Sequence, residues 1–306
     1  MTPLGTPSTL KSWLIQPENL GLFYGLIGVF SFSLTLPATR LAVAELDASF
    51  VGLGRGVVAA LLAAISLGIK RQPLPTRQDW GSLGIVAAGV VLGFPLLSAW
   101  AMRQLPASHG GIILGILPLA TALAGVWRNR ERPSWLFWLA GLVGSGAVLT
   151  FAWLSGAGHW QWGDLLLLAA VAAAALGYAE GAKLSPHLGS WQVISWALVL
   201  SGPILGIPLL WLMASLSLAA SWQAWLAFAY VSLVSQFLGF FAWYHGLALG
   251  GVARVGQIQL LQPFLTLGIA ALFLGEPLTP LAVITGVVVL VSVAIGKQAT
   301  IDRPSG

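Results

Sequence analysis

The sequence predicts an all-α membrane protein, with ten transmembrane helices arranged as a five-plus-five inverted repeat. Three observations predict it: a composition too apolar for water, ten apolar runs of spanning length, and a pattern that recurs in the second half of the chain. Of 306 residues, 58% are apolar and 8% charged, against about 25% charged in an average soluble domain. Mean hydropathy is +0.89. That leaves too little charge to cover a water-facing surface, and disorder is excluded because it needs low hydrophobicity and high charge. No Cys is present, so disulfides and thiolate metal sites are ruled out. The net charge of +5 points to membrane orientation rather than to nucleic acid, because the basic residues sit in short gaps between apolar runs.

A membrane helix needs about 20 mostly apolar residues to cross about 30 Å of hydrocarbon. Ten runs meet that requirement: 20–39, 49–69, 80–102, 109–127, 135–154, 163–182, 191–214, 222–247, 252–274 and 280–295. Barrel strands are about 10 residues long with period-2 alternation, and these runs have neither property. The linkers carry the helix breakers and charges, such as Lys70-Arg71-Gln72-Pro73, Arg128-Asn129-Arg130-Glu131-Arg132-Pro133 and Ser185-Pro186-His187. The first run is too long for a cleaved signal, and no small-residue cleavage site precedes a soluble region. Eleven Lys and Arg fall on the side of the N-terminus, and only Arg40 and Arg103 on the other. Positive loops stay inside, so both termini are expected in the cytoplasm, with the chain in a bacterial-type inner membrane. The expected divisions are a cytoplasmic tail at 1–19, repeats at 20–155 and 163–296, and a second cytoplasmic tail at 297–306.

The recurrence is specific. Arg40 and Trp100 return as Lys183 and Trp243, both 143 residues on, and Pro118, Glu131 and Gly141 return as Pro263, Glu276 and Gly286, all 145 residues on. Each half holds five runs. An odd number of crossings sets the second copy upside down, the ground plan of many secondary transporters.

The spacing Pro118, Glu131, Gly141 and its second copy, with the fuller text Leu274-Gly275-Glu276-Pro277-Leu278, resembles the EamA-type branch of the drug/metabolite transporter superfamily. The basic residue ending each half's first helix and the early Arg55 are similar to that family too. The resemblance implies ten helices, an inverted repeat, and export or exchange of small metabolites.

Several residues carry functional expectations. Glu131 and Glu276 lie between the fourth and fifth helices of their halves, where a carboxylate either caps the N-terminus of the next helix or serves as a gate element, one on each face of the membrane. Arg55 sits about 9 Å inside an apolar helix at 1.5 Å per residue, so it needs a buried partner, a substrate contact, or escape to the surface by snorkelling. Glu180 and Lys183 are one turn apart and can pair, with Tyr178 deeper in the same helix. In the eighth helix Ser232, Ser235, Gln236, Phe240 and Trp243 share one face. Gln259, Gln262 and Thr266 share a face of the ninth, beside Pro263. In lipid such side chains must meet protein, solvent or ligand, so this two-helix surface is expected to line the transport path, with helix packing as its rival. Trp100 and Trp243 are matched, either as interface anchors or as aromatic closures of the path. Arg40 joins Arg55, Glu180 and Lys183 as a gate or structural charge.

No phosphate loop, zinc-binding His-Glu-x-x-His or nucleophile elbow with credible partners is present. Neither cofactor nor metal is expected, and no catalytic residue. The expected activity is alternating-access transport of a small molecule, with amino acids leading, across a lipid bilayer and without nucleic acid. The rivals are a non-catalytic membrane scaffold and a membrane enzyme acting on lipid-linked substrates.

Overall fold

A computed structural model describes residues 16–154, 161–214, 219–274, 279–298 and 301–302. Apolar side chains facing lipid and small residues facing neighbours produce a helical bundle. Its elements are α1 (Pro17–Glu45), α2 (Ala48–Ile69), α3 (Asp79–Gln104), α4 (Ala107–Asn129), α5 (Trp135–Leu154), α6 (Trp162–Leu188), α7 (Ser190–Met213), α8 (Trp222–Gly250), α9 (Val252–Phe273) and α10 (Pro280–Gln298). Eight of these are long and apolar enough to cross a membrane, while α5 and α10 hold shorter apolar stretches, Trp135–Phe151 and Val283–Gly296. A two-residue antiparallel pair joins β1 (Arg132–Pro133) to β2 (Ile301–Asp302).

Local chemistry sets the boundaries. Pro17 opens α1, where its missing N–H costs nothing. Asp47 caps α2 by accepting from the backbone of Ser49 and Phe50. Gln161 and Asp164 form a capping box on α6, and Ser221 caps α8. Two expected boundaries are corrected. The first helix continues past residue 39 to Glu45, because Arg40 finds a partner in the carbonyl of Met102 rather than ending the helix. Ser185-Pro186-His187 is helix rather than linker. Its turn-breaking role falls to Gly189, at φ 93°, and Gly251, at φ 87°, plays the same part between α8 and α9.

Polar contacts sort the loops onto two ends of the bundle. At one end Arg254, near the start of α9, pairs with Glu18 at the start of α1. His187 at the end of α6 bonds Asp79 at the start of α3 at 2.8 Å, and Gln192 bonds Gln72 at 3.1 Å. This basic end also holds the α4–α5 turn and, through the β1–β2 pair, the segment after α10. At the opposite end Arg103 faces Asp47 at 3.9 Å, Glu45 accepts from Ser221, and His109 bonds Asp164 at 2.7 Å. The helix α1 thus starts at the basic end and α6 at the opposite one.

The packing recurs between the halves as well. The most extensive contact of α1 is with α8, and α6 packs in the same way on α3; α2 meets α7, and α5 meets α10. Irregular turns recur too: π-helical stretches at Ala87–Gly93 in α3 and Val231–Leu238 in α8, and 3₁₀ stretches at Leu114–Ile116 in α4 and Gln257–Leu261 in α9. Each 3₁₀ stretch directly precedes a proline-containing turn, where the ring removes a backbone donor.

The α1–α8 seam is backbone against backbone. A Cβ on Gly246 would lie 2.7 Å from the nitrogen of Gly25 and 2.8 Å from the oxygen of Gly21. Without a hydrophobic drive between helices in lipid, such close packing holds them together. Gly246→Val is expected to cost about 1–3 kcal/mol and to lower the melting temperature in detergent. Gly206→Ala, which meets open space inside α7, is expected to leave that temperature unchanged or to raise it slightly.

Candidate functional site

A narrow cavity of about 20 Å³, room for about one water molecule, lies where the two halves meet. The first half contributes Phe32 and Thr35 of α1, Arg55 of α2, Val90 and Phe94 of α3, and Leu117 of α4. The second contributes Tyr178 of α6, Ser235, Gln236 and Phe240 of α8, and Gln262 of α9. Both π-helical stretches reach this point. Gln236, in the stretch of α8, donates to the carbonyl of Val90, in the stretch of α3, at 2.9 Å. π-Helical turns are rare and concentrate at functional sites, and here a pair of them meets across the junction of the halves.

The polar network is short. Ser235 Oγ lies 2.8 Å from Thr35 Oγ1 and accepts from Arg55 Nη2 at 2.8 Å. Arg55 is 1% exposed, so it takes a buried partner rather than snorkelling to the surface. Rings pack beside it: Phe32 and Tyr178 stacked at 6.4 Å, Phe32 and Phe240 tilted at 5.1 Å, and Tyr178 and Trp243 edge-on at 5.3 Å.

A wider vestibule opens at the basic end, lined by residues that include Arg128, Arg130, Glu131, Lys183, Leu247 and Gly251. Along α8, Gln236 and Leu247 are separated by about 16 Å at 1.5 Å per residue. Phe240 and Trp243 fall between them, and on α6 Tyr178 precedes Lys183. The aromatic layer therefore divides cavity from vestibule.

Of the path residues read from the sequence, Tyr178, Ser235, Gln236, Phe240 and Gln262 line the cavity. The other four lie off it. Ser232 donates to the carbonyl of Phe228 in its own helix at 2.7 Å. Gln259 accepts from Thr121 at 3.2 Å, and Thr266 donates to the carbonyl of Ser33 at 2.8 Å. Trp243 is wholly buried in the aromatic layer. Its counterpart Trp100 is 40% exposed and bonds Ser49 at the opposite end. The two tryptophans are therefore not equivalent: one anchors at the surface, the other fills the interior.

Two charge assignments change. Glu131 does cap a helix, but not the next one. Its two carboxylate oxygens accept from the backbone of Val252 and Ala253, at 2.8 and 2.7 Å, so it holds the N-terminus of α9. Glu180 pairs with Arg128 of α4, not with Lys183. Lys183 is exposed in the vestibule, and Arg40 ties α1 to the end of α3. Glu276 lies outside the described residues. Sequence reasoning missed Phe32, Thr35, Val90, Phe94 and Leu117. Thr35 alone left a polar signal, a hydroxyl inside an apolar run. It also missed the two His–Asp pairs that fix both ends of α6. Among the described residues, no group of three His, Cys, Asp or Glu could hold a metal.

Glu180 is wholly buried, so removing its partner strands a charge. Arg128→Met is expected to cost about 3–5 kcal/mol, read as a fall in melting temperature. Lys183→Met, at an exposed site, is expected to change stability by less than about 1 kcal/mol.

Comparison with known proteins accords with this architecture. The profile of the EamA-like transporter family matches twice, over residues 19–153 and 161–295. "Uncharacterized transporter YdeK" of Bacillus subtilis (strain 168) is 47% identical over 279 residues, covering 91% of this chain and 97% of that one. The "Probable terminal-alkyne amino-acid exporter" of Streptantibioticus cattleyicolor is 25% identical over 283 residues, covering 90% and 92%. A solved crystal structure shares the fold with a TM-score of 0.71 at 14% identity, covering 91% of this chain and 96% of that one. Two matched repeats, a full-length relative and the helical bundle together establish that the chain belongs to the EamA-like transporter family, whose members cross the membrane several times.

Proposed function

We propose that the chain is a secondary exporter that moves small metabolites by alternating access, and that the central cavity is its substrate site. One observation carries the reading: a cavity built from both halves, closed from a solvent-facing vestibule by a layer of rings. In this reading α5 and α10 also cross, giving ten spans, and the halves at 20–155 and 163–296 are inverted copies. Support comes from the opposed starts of α1 and α6 and from the π and 3₁₀ stretches that recur in matching helices. By the positive-inside rule, the basic end faces the cytoplasm with both termini, in a bacterial inner membrane. The vestibule is then the cytoplasmic entrance, with Lys183 at its wall, and rocking of the halves opens the cavity to either side.

Amino acids with apolar side chains are the leading substrate. Four aromatic residues offer an apolar wall, and the carbonyl oxygens of Gln236 and Gln262 have no partner and can accept from an ammonium group. The relative named as an amino-acid exporter supports the same class. Since Glu180, an acid inside a span, is engaged by Arg128, the driving force is taken to be the substrate gradient or exchange.

The absence of native Cys makes a direct test simple. Gln236→Cys is expected to react with a water-soluble maleimide, and Gln259→Cys, packed against Thr121, to be protected. A scaffold predicts protection at both, and that outcome would end the path reading. In vesicles, labelled phenylalanine flux should depend on the protein and be indifferent to an imposed pH gradient. A gradient-driven flux would replace exchange with proton coupling.

A further inference from the structure

We propose that Arg55 anchors the carboxylate of the transported compound, so that the cavity accepts apolar or aromatic monocarboxylates and turns away amines that lack a carboxylate. The proposal rests on the cavity being the substrate site and adds the charge that the substrate must carry.

The cavity wall holds an unbalanced charge. Arg55 is a guanidinium 1% exposed at that wall, and it always carries a proton. Its Nη2 reaches Ser235, while Nε and Nη1 have no hydrogen-bond partner. Among the described residues no Asp or Glu lines the cavity, and the Arg-mediated ion pairs use other cations. Ser235 and Thr35 are neutral hydroxyls; they can orient the guanidinium but not balance it. A buried ion without a partner is expensive, and a carboxylate is the group that meets a guanidinium with charge-assisted bonds at fixed geometry. The stoichiometry points the same way. One cation and no anion balance a single negative charge, whereas a phosphate dianion would leave one in excess. The aromatic part of the wall (Phe32, Phe94, Tyr178 and Phe240) suits an apolar body attached to that carboxylate.

The test is equilibrium binding of three radiolabelled probes to the purified full-length protein in detergent: phenylalanine, phenylacetate and phenethylamine. Both carboxylates should bind, and phenethylamine should bind at least about tenfold more weakly. Arg55→Met should weaken both carboxylates by about tenfold or more, while Arg55→Lys, which keeps the charge without the planar fork, should retain part of the affinity. Because Arg55→Met removes an uncompensated buried charge, the empty variant should melt at or above the wild-type temperature, which shows that it is folded. Three results would overturn the proposal: phenethylamine binding as well as the carboxylates do, carboxylate affinity unchanged in Arg55→Met, or neither carboxylate bound at about 10 mM, where sites with Kd near 1 mM are still detected. Failure of the export reading looks different, since the carboxylates would then bind as expected and yet show no protein-dependent flux in vesicles.

Discussion

Hydrocarbon offers no hydrogen bonds, so every polar group within the bundle must find its partner in protein or in a water-filled space. That constraint explains why polar side chains meet at the junction of the halves, while others, such as Ser201 and Thr285, bond back to a carbonyl of their own helix. Ser235 stands at the centre of the gathering, reaching Thr35 of α1 and Arg55 of α2 from α8. Gln236, one residue on, reaches the backbone of α3. These bonds cross from one repeat to the other, so the halves are polar to each other at the wall of the cavity.

The same constraint governs the ends of the bundle. The helix α6 is fixed at both ends by His–Asp contacts to the first half, through Asp79 at one and His109 at the other. Near the basic end, α4 grips α6 through Arg128, and the turn after α4 grips α9 through Glu131. In the proposed alternating-access cycle, opening the vestibule toward the cavity loosens bonds of this kind on one side while those on the other persist.

The apolar runs and their polar interruptions made the bundle legible, because spanning length and hydropathy are local properties of the text. Five cavity residues were legible for a similar reason: Ser235, Gln236 and Phe240 share a helical face, Gln262 sits beside a proline, and Tyr178 lies deep in a span. What periodicity cannot reveal is which helix arrives opposite a given face. Glu180 has Lys183 one turn away, yet the packed structure brings in Arg128 from 52 residues upstream. Glu131 precedes α5 in sequence, but its carboxylate is claimed by the backbone amides that open α9, which approach from the other half. Val90 gave no signal at all, because its role is carried by a backbone carbonyl. Trp100 and Trp243 match in position, but their surroundings come from different neighbours, so a repeated letter did not mean a repeated task.

The small clasp between Arg132–Pro133 and Ile301–Asp302 has a practical corollary. It moors the chain's carboxyl end to the segment immediately following Glu131, the residue that brackets α9. A bulky fusion partner appended at that end would tug on the bracket itself, so transport rates from such a fusion would report on the appendage as well as on the protein.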